Sequence, residues 1–153
     1  MEADECGGIA LVKKRYPKIM VLCTGFVARQ LTGFGYKGKI IVCEPGRRFS
    51  AQGLDLSFFS FPAESHGYGA IICFDSVSGV LYGSDAVLHE GPEAIVRMPW
   101  SDVVGEIGQS RIPDGEKRDG LKDELIRIRP SFVASGHGSC IEIADPLRPP
   151  ICH

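Results

Sequence analysis

The sequence predicts a mixed α/β fold built as one layered domain. Three observations carry that expectation: short apolar runs of strand length, amphipathic stretches at helical spacing, and Gly or Pro punctuation between them. Residues 6–15 place Ile9, Ala10 and Val12 ahead of Lys13, Lys14 and Arg15 and stop before Tyr16-Pro17, which suits a short helix. Residues 18–23 read as a buried strand. A second short helix over 26–31 is closed by Gly33 and Gly35, and 39–43 is another strand. The grammar then turns to β. Residues 54–61, 70–74 and 80–82 are short apolar runs, the last two joined by Asp75-Ser76-Val77-Ser78-Gly79 at hairpin length. Residues 100–109 and 115–128 read as helices, the second carrying Leu121, Leu125 and Ile128 on one face. Strands over 131–135 and 139–143 close the fold around Gly136-His137-Gly138. Residues 145–153, with Pro146, Pro149 and Pro150, read as an irregular tail beyond a domain of residues 1–144.

Composition narrows the function classes. At 153 residues and 44% hydrophobic, the chain can bury one real core and is short for two domains. A net charge of -2 with both signs interspersed provides no basic footprint for nucleic acid or an anionic membrane, so neither is an expected partner. The six cysteines stand far apart with no C-x-x-C pair, and several lie inside apolar runs such as Met20-Val21-Leu22-Cys23. Free buried thiols fit this better than a disulfide framework or a zinc ribbon. The acidic start Met1-Glu2-Ala3-Asp4-Glu5 is unlike a signal peptide, and no apolar run approaches the roughly 20 residues of a membrane span. The expected compartment is the cytoplasm.

Chemistry concentrates in residues of metal-ligand type: Glu2, Asp4 and Glu5, then His66, Asp85 and His137. Each of the last three stands where an apolar run gives way to a glycine-rich turn, and strand ends bring distant parts of a chain to one edge of a sheet. Other roles remain open for the same residues. The acidic trio also suits a turn favourable to the dipole of the following helix, and Asp85 also suits a turn residue at a strand end. His89 and His153 read as exposed histidines without a role, and Tyr68 and Trp100 as packing residues. Neither Gly33-Phe34-Gly35 nor Gly67-Tyr68-Gly69 opens a helix after a strand as a phosphate loop must, and no nucleophilic serine elbow is present.

Four separated pieces carry a family resemblance. Ser65-His66-Gly67, the hairpin, Leu81-Tyr82-Gly83-Ser84-Asp85 and Pro130-Ser131-Phe132-Val133-Ala134-Ser135-Gly136-His137-Gly138 follow one another as in the second half of a metallo-β-lactamase-fold domain. Among its branches the sequence most resembles the flavodiiron and oxygen-binding di-iron proteins, whose first metal motif is H-x-E-x-D-H-x-G. Glu2-Ala3-Asp4-Glu5-Cys6-Gly7 is similar to that motif from its third position onward, and EAIVRMPWSDV over residues 93–103 is similar to the segment entering the family's penultimate helix. In this alignment the motif's first histidine falls one position before Met1 and its second falls on Glu5.

The resemblance implies a two-iron site, with Glu2, His66 and Asp85 serving one metal and Asp4, Asp85 and His137 the other, Glu5 being a possible addition. Zinc or manganese are the alternative ions. It further implies a metallo-β-lactamase-like αββα sandwich lacking part of its N-terminal half-sheet. The exposed strand edge of such a fold favours a homo-oligomer. Three functional classes follow: a di-iron domain that binds or reduces dioxygen or nitric oxide, impaired as a single chain; a zinc-dependent hydrolase; and a non-catalytic remnant acting as a binding or assembly module. A reductase would draw electrons from a separate donor protein, since no flavin fingerprint or rubredoxin-type cysteine pair is present.

Overall fold

The computed structural model describes residues 6–62 and 69–144. The predicted tail at 145–153 and the candidates Glu2, Asp4, Glu5, His66, Tyr68 and His153 lie outside the described residues. Among the described residues the first element is a short helix, α1 (Ile9–Arg15), which ends at Tyr16 before Pro17 and buries none of its side chains. A strand-helix-strand unit follows: β1 (Met20–Cys23), α2 (Gly25–Gly33) and β2 (Lys39–Val42). Thr24 caps α2 by accepting the Val27 N–H at 3.4 Å, and the crossover helix makes β1 and β2 parallel, with Leu22 opposite Ile41.

The remaining strands build one seven-stranded sheet. In chain order they are β3 (Arg48–Ala51), β4 (Leu54–Ser60), β5 (Ile71–Asp75), β6 (Val80–Ser84), β7 (Ile95–Met98), β8 (Phe132–Ser135) and β9 (Cys140–Ile143). Helices α3 (Trp100–Gly105) and α4 (Gly115–Leu125) lie between β7 and β8. The sheet order is β3-β4-β5-β6-β8-β9-β7, an antiparallel meander through β6 joined to β8 by a parallel pairing. Asp75 holds the β5–β6 hairpin. Its carboxylate, 2% exposed, accepts the N–H groups of Asp55 (3.0 Å), Val77 (3.2 Å) and Ser78 (3.3 Å) and the Ser78 hydroxyl at 2.5 Å.

Strand alternation sorts the side chains into two cores. On one face Ile72, Leu81, Val133 and Ile141 pack against Trp100, Val103, Val104, Leu121 and Leu125 from the helices. On the other, Leu56, Phe58, Ile71 and Cys73 meet Leu22, Ile41 and Cys43 from the two-stranded sheet and its end. The layers are therefore helix, large sheet, small sheet and helix α2, an αββα sandwich whose second sheet has two strands among the described residues. Leu121 and Leu125, one turn apart, are the buried positions of α4, and Asp114 caps it by accepting the Lys117 N–H at 3.0 Å.

Two strands were not anticipated from the sequence. β3 reads Arg-Phe-Ser-Ala and β7 reads Ile-Val-Arg-Met, each a four-residue edge strand with only half its side chains partly buried, so neither presents an apolar run. Both helices in the second half are shorter than periodicity suggests. α3 stops at Gly105, and α4 stops at Leu125, with Ile128 closing a turn through its N–H to the Leu125 carbonyl at 3.1 Å. The thiols of Cys23, Cys43 and Cys73 are free and sit in or beside the second core. Burial, reinforced by the Cys43 and Asp75 charges, pushes the Cys73 thiol up to about 12. Among the described residues no helix is long and apolar enough to cross a membrane.

Candidate metal centre

The site forms where the parallel neighbours β6 and β8 end side by side, the edge of an α/β sheet at which ligands collect. Gly83 interrupts the β6–β8 register, and a Cβ there would lie 2.5 Å from the Val87 carbonyl oxygen, so only glycine lets residues 83–87 fold back this tightly. Ser84 then adopts φ 49°, a left-handed conformation unusual for a residue with a side chain. The consequence is that Asp85 turns over the end of β8. There the Gly136 N–H donates to the Ser84 carbonyl at 2.9 Å, which binds the histidine-bearing turn to the end of β6.

Asp85 and His137 meet. The Asp85 Oδ1 and His137 Nδ1 lie 2.7 Å apart, the carboxylate largely shielded (side chain 16% exposed) and the imidazole open to solvent (55%). Of the six candidate ligands these two fall within the described residues, and the fold brings them together across 52 positions of sequence. Among the described residues no group of three or more His, Cys, Asp or Glu side chains is placed to hold a metal. Their donor chemistry suits iron, manganese or zinc.

The turn that carries His137 is laced down on its far side. The Ser139 N–H donates to the His89 carbonyl at 2.9 Å, the fully buried Ser139 hydroxyl donates to the Glu93 carbonyl at 2.6 Å, and the Ser135 hydroxyl donates to the Ser139 carbonyl at 3.0 Å. Gly138, at φ 72°, has no room for a Cβ, which would sit 2.5 Å from the His89 carbonyl oxygen. His89 is thus not the idle exposed histidine expected from sequence. Its backbone bridges Ser139, and its Nδ1 contacts the Glu106 carboxylate at 3.0 Å, tying the loop to the end of α3. Sequence reasoning missed Ser84, Ser139 and this pair, and Trp100 is the packing residue expected, 5% exposed with its indole N–H on the Leu125 carbonyl at 3.1 Å.

No family profile matches the chain, and no curated protein does. Solved structures do. A fragment of a diflavin flavoprotein from Nostoc sp. PCC 7120 superposes with a TM-score of 0.67 at 14% identity, over 93% of this chain and 58% of that one. The rubredoxin oxygen:oxidoreductase of Desulfovibrio gigas gives 0.66 at 13% identity, over 92% of this chain and 38% of that one. A metal-soaked flavodiiron core from Synechocystis sp. PCC6803 gives 0.63 at 14%, over 93% and 38%. The chain therefore spans between 38% and 58% of the length of these neighbours. It has the fold of the flavodiiron core, the metallo-β-lactamase-like architecture that the spacing of its motifs resembles.

Proposed function

We propose that residues 1–144 form a non-haem iron-binding domain that binds or reduces dioxygen or nitric oxide. The observation that carries the reading is the meeting of Asp85 and His137 at the β6–β8 edge of a flavodiiron-type fold. Glu2, Asp4, Glu5 and His66 complete the ligand set in this proposal, and manganese or zinc compete for it. Bound iron would supply the electron-transfer chemistry that dioxygen or nitric oxide reduction needs. The chain's own part is electrostatic and positional. Asp85, shielded from water, offers negative charge to a cation, and the glycine turn holds the His137 ring beside it. One neighbour is named as an oxidoreductase of rubredoxin and oxygen, and by analogy electrons reach this chain from a separate donor protein. Glu5, at the place of the motif's second histidine, makes the site oxygen-rich and lowers the expected turnover. A homo-oligomer is the expected assembly.

The test is metal content measured alongside activity. Loaded anaerobically with ferrous iron, the chain should retain iron through gel filtration, and Asp85→Asn and His137→Ala should each weaken binding about 10–100-fold. Retention unchanged in both variants would place any metal elsewhere and sink the proposal.

A further inference from the structure

Half of the large sheet has a face that the second core leaves open. The strand pairings set two rows of side chains on the face turned away from α3 and α4. Tyr82, Ala134, Cys140 and Ile95 run across β6, β8, β9 and β7, and Val80, Phe132, Glu142 and Arg97 form the row beside them. Over β4 and β5 the same face is covered by Leu22, Ile41 and Cys43 of the small sheet and its end, but the second core takes no residue from β6, β8, β9 or β7. Exposure differs accordingly between the two faces. On the helix side Leu81, Val133 and Ile141 are fully buried, whereas Tyr82 and Ile95 are 49% and 57% exposed and Phe132, Ala134 and Cys140, on the strands between them, are partly open. Apolar surface gathered in one patch marks a contact site.

Charge and shape narrow the occupant. The two charged side chains of these rows, Arg97 and Glu142, face each other at 3.7 Å and compensate within the chain, so the patch offers no net field to a basic or acidic partner. The first row is apolar throughout and has small residues, Ala134 and Cys140, between a large one at each end. Turned about a twofold axis that runs along the strands between β8 and β9, this row meets itself. β6 then lies over β7 of the second copy, so Tyr82 meets Ile95 at both ends and Ala134 meets Cys140 in the middle. An axis running across the strands would instead set the apolar row on Arg97 and Glu142, stripping their hydration with no polar partner in return.

We propose that this face joins two copies of the chain, sheet stacked on sheet, with Tyr82 of each copy against Ile95 of the other. The assignment rests on the homo-oligomer reading above and adds its contact surface; it does not involve the iron reading. Four strands at about 4.8 Å and five residues at about 3.3 Å give a footprint of roughly 300 Å² per copy. That is at the small end for protein interfaces, so the association is weak and reversible.

The test is sedimentation of the whole chain at concentrations spanning a Kd of roughly 10–100 µM. The unmodified chain should pass from monomer to dimer. Tyr82→Lys and Ile95→Glu should each weaken self-association about tenfold or more, since each sets a charge on an apolar partner. Mixed one to one, the two variants should associate again, because each heterodimer joins the introduced lysine to the introduced glutamate at one end and keeps Ile95 on Tyr82 at the other. Recovery on mixing also requires both variants to be folded. An unmodified chain that stays monomeric overturns the homo-oligomer reading and this surface together. Single variants that associate like the unmodified chain leave the homo-oligomer standing and overturn the surface, and a mixture that stays monomeric overturns the twofold arrangement.

Discussion

Gly136→Ala offers a sharp test of how the Asp85–His137 pair is held. A Cβ built at Gly136 lies 2.7 Å from Asp85 Oδ1 and 3.1 and 3.2 Å from the Ser84 carbonyl carbon and oxygen, whereas ordinary contact begins at 3.4 Å. The Asp85 carboxylate must therefore retreat by 0.7 Å (3.4 − 2.7), and the Ser84 backbone by 0.2–0.3 Å. Metal sites tolerate ligand displacements of only about 0.2 Å. The substitution should thus weaken ferrous or cobaltous ion binding about 10–100-fold while costing the metal-free fold about 1–3 kcal/mol, as overpacking does. Metal affinity is read by competition with a chromophoric chelator, and stability by urea unfolding, where an unchanged slope certifies the same native state. Gly120→Ala is the control. Gly120 stands inside α4 with nothing within 4 Å of its Cβ position, so alanine there should raise stability by about 0.5–1 kcal/mol and leave metal binding alone. If Gly136→Ala binds metal as tightly as the unmodified chain, Asp85 is not a ligand or the turn is not packed against it.

Two further predictions concern the scaffold. The Ser78 hydroxyl, then the Asp55, Val77 and Ser78 N–H groups, hold the Asp75 carboxyl below its ordinary value of 3.8, so its ionised form is favoured in the folded chain. That contribution is complete above pH 3.8 and is lost as pH falls through the lower folded-state value; the urea midpoint of the unmodified chain should drop more steeply from about pH 6 to about pH 2 than that of Asp75→Asn. Trp100→Phe removes the indole donor to the Leu125 carbonyl at 3.1 Å, but that carbonyl keeps the Ile128 N–H, so the loss should be that of one hydrogen bond, about 0.5–1.5 kcal/mol in the same assay; a loss well above this would mean that the Ile128 bond does not survive without the indole.

The core of the fold was legible because its signals are cumulative. β4, β5, β6, β8 and the buried face of α4 each carry apolar side chains at the period of their element, and the hairpin declares itself through Asp75 and Gly79. β3 and β7 carry no comparable signal. An edge strand faces water along one side and needs charge there, so Arg48 and Arg97 stand where a central strand would place an apolar residue, and only pairing with β4 and β9 makes these segments extended. Nor does the sequence state that β1 and β2 stand apart from the other strands as a separate pair, since a strand's sheet is decided by long-range packing of Leu22 and Ile41 on Leu56 and Phe58.

The site divides along the same line. That Asp85 and His137 come together was legible from residue type and from their glycine settings at strand ends, while their role as ligands belongs to the proposal. What holds them was not. Ser139 secures the histidine turn with a buried hydroxyl and a main-chain N–H, His89 contributes chiefly its carbonyl oxygen, and Ser84 contributes a backbone angle. A carbonyl is the same on every residue, so its role has no signature in the sequence; a serine at φ 49° looks like any serine. The exception is glycine, where the lack of a side chain is itself the function. Gly83, Gly136 and Gly138 each stand where a Cβ would meet a backbone carbonyl or the Asp85 carboxylate within 2.7 Å, and these were the positions at which sequence alone located the turns of the site. Support geometry is therefore readable to the extent that it excludes side chains and hidden where it uses the main chain, which is why His89→Ala is expected to disturb the site far less than Gly138→Ala.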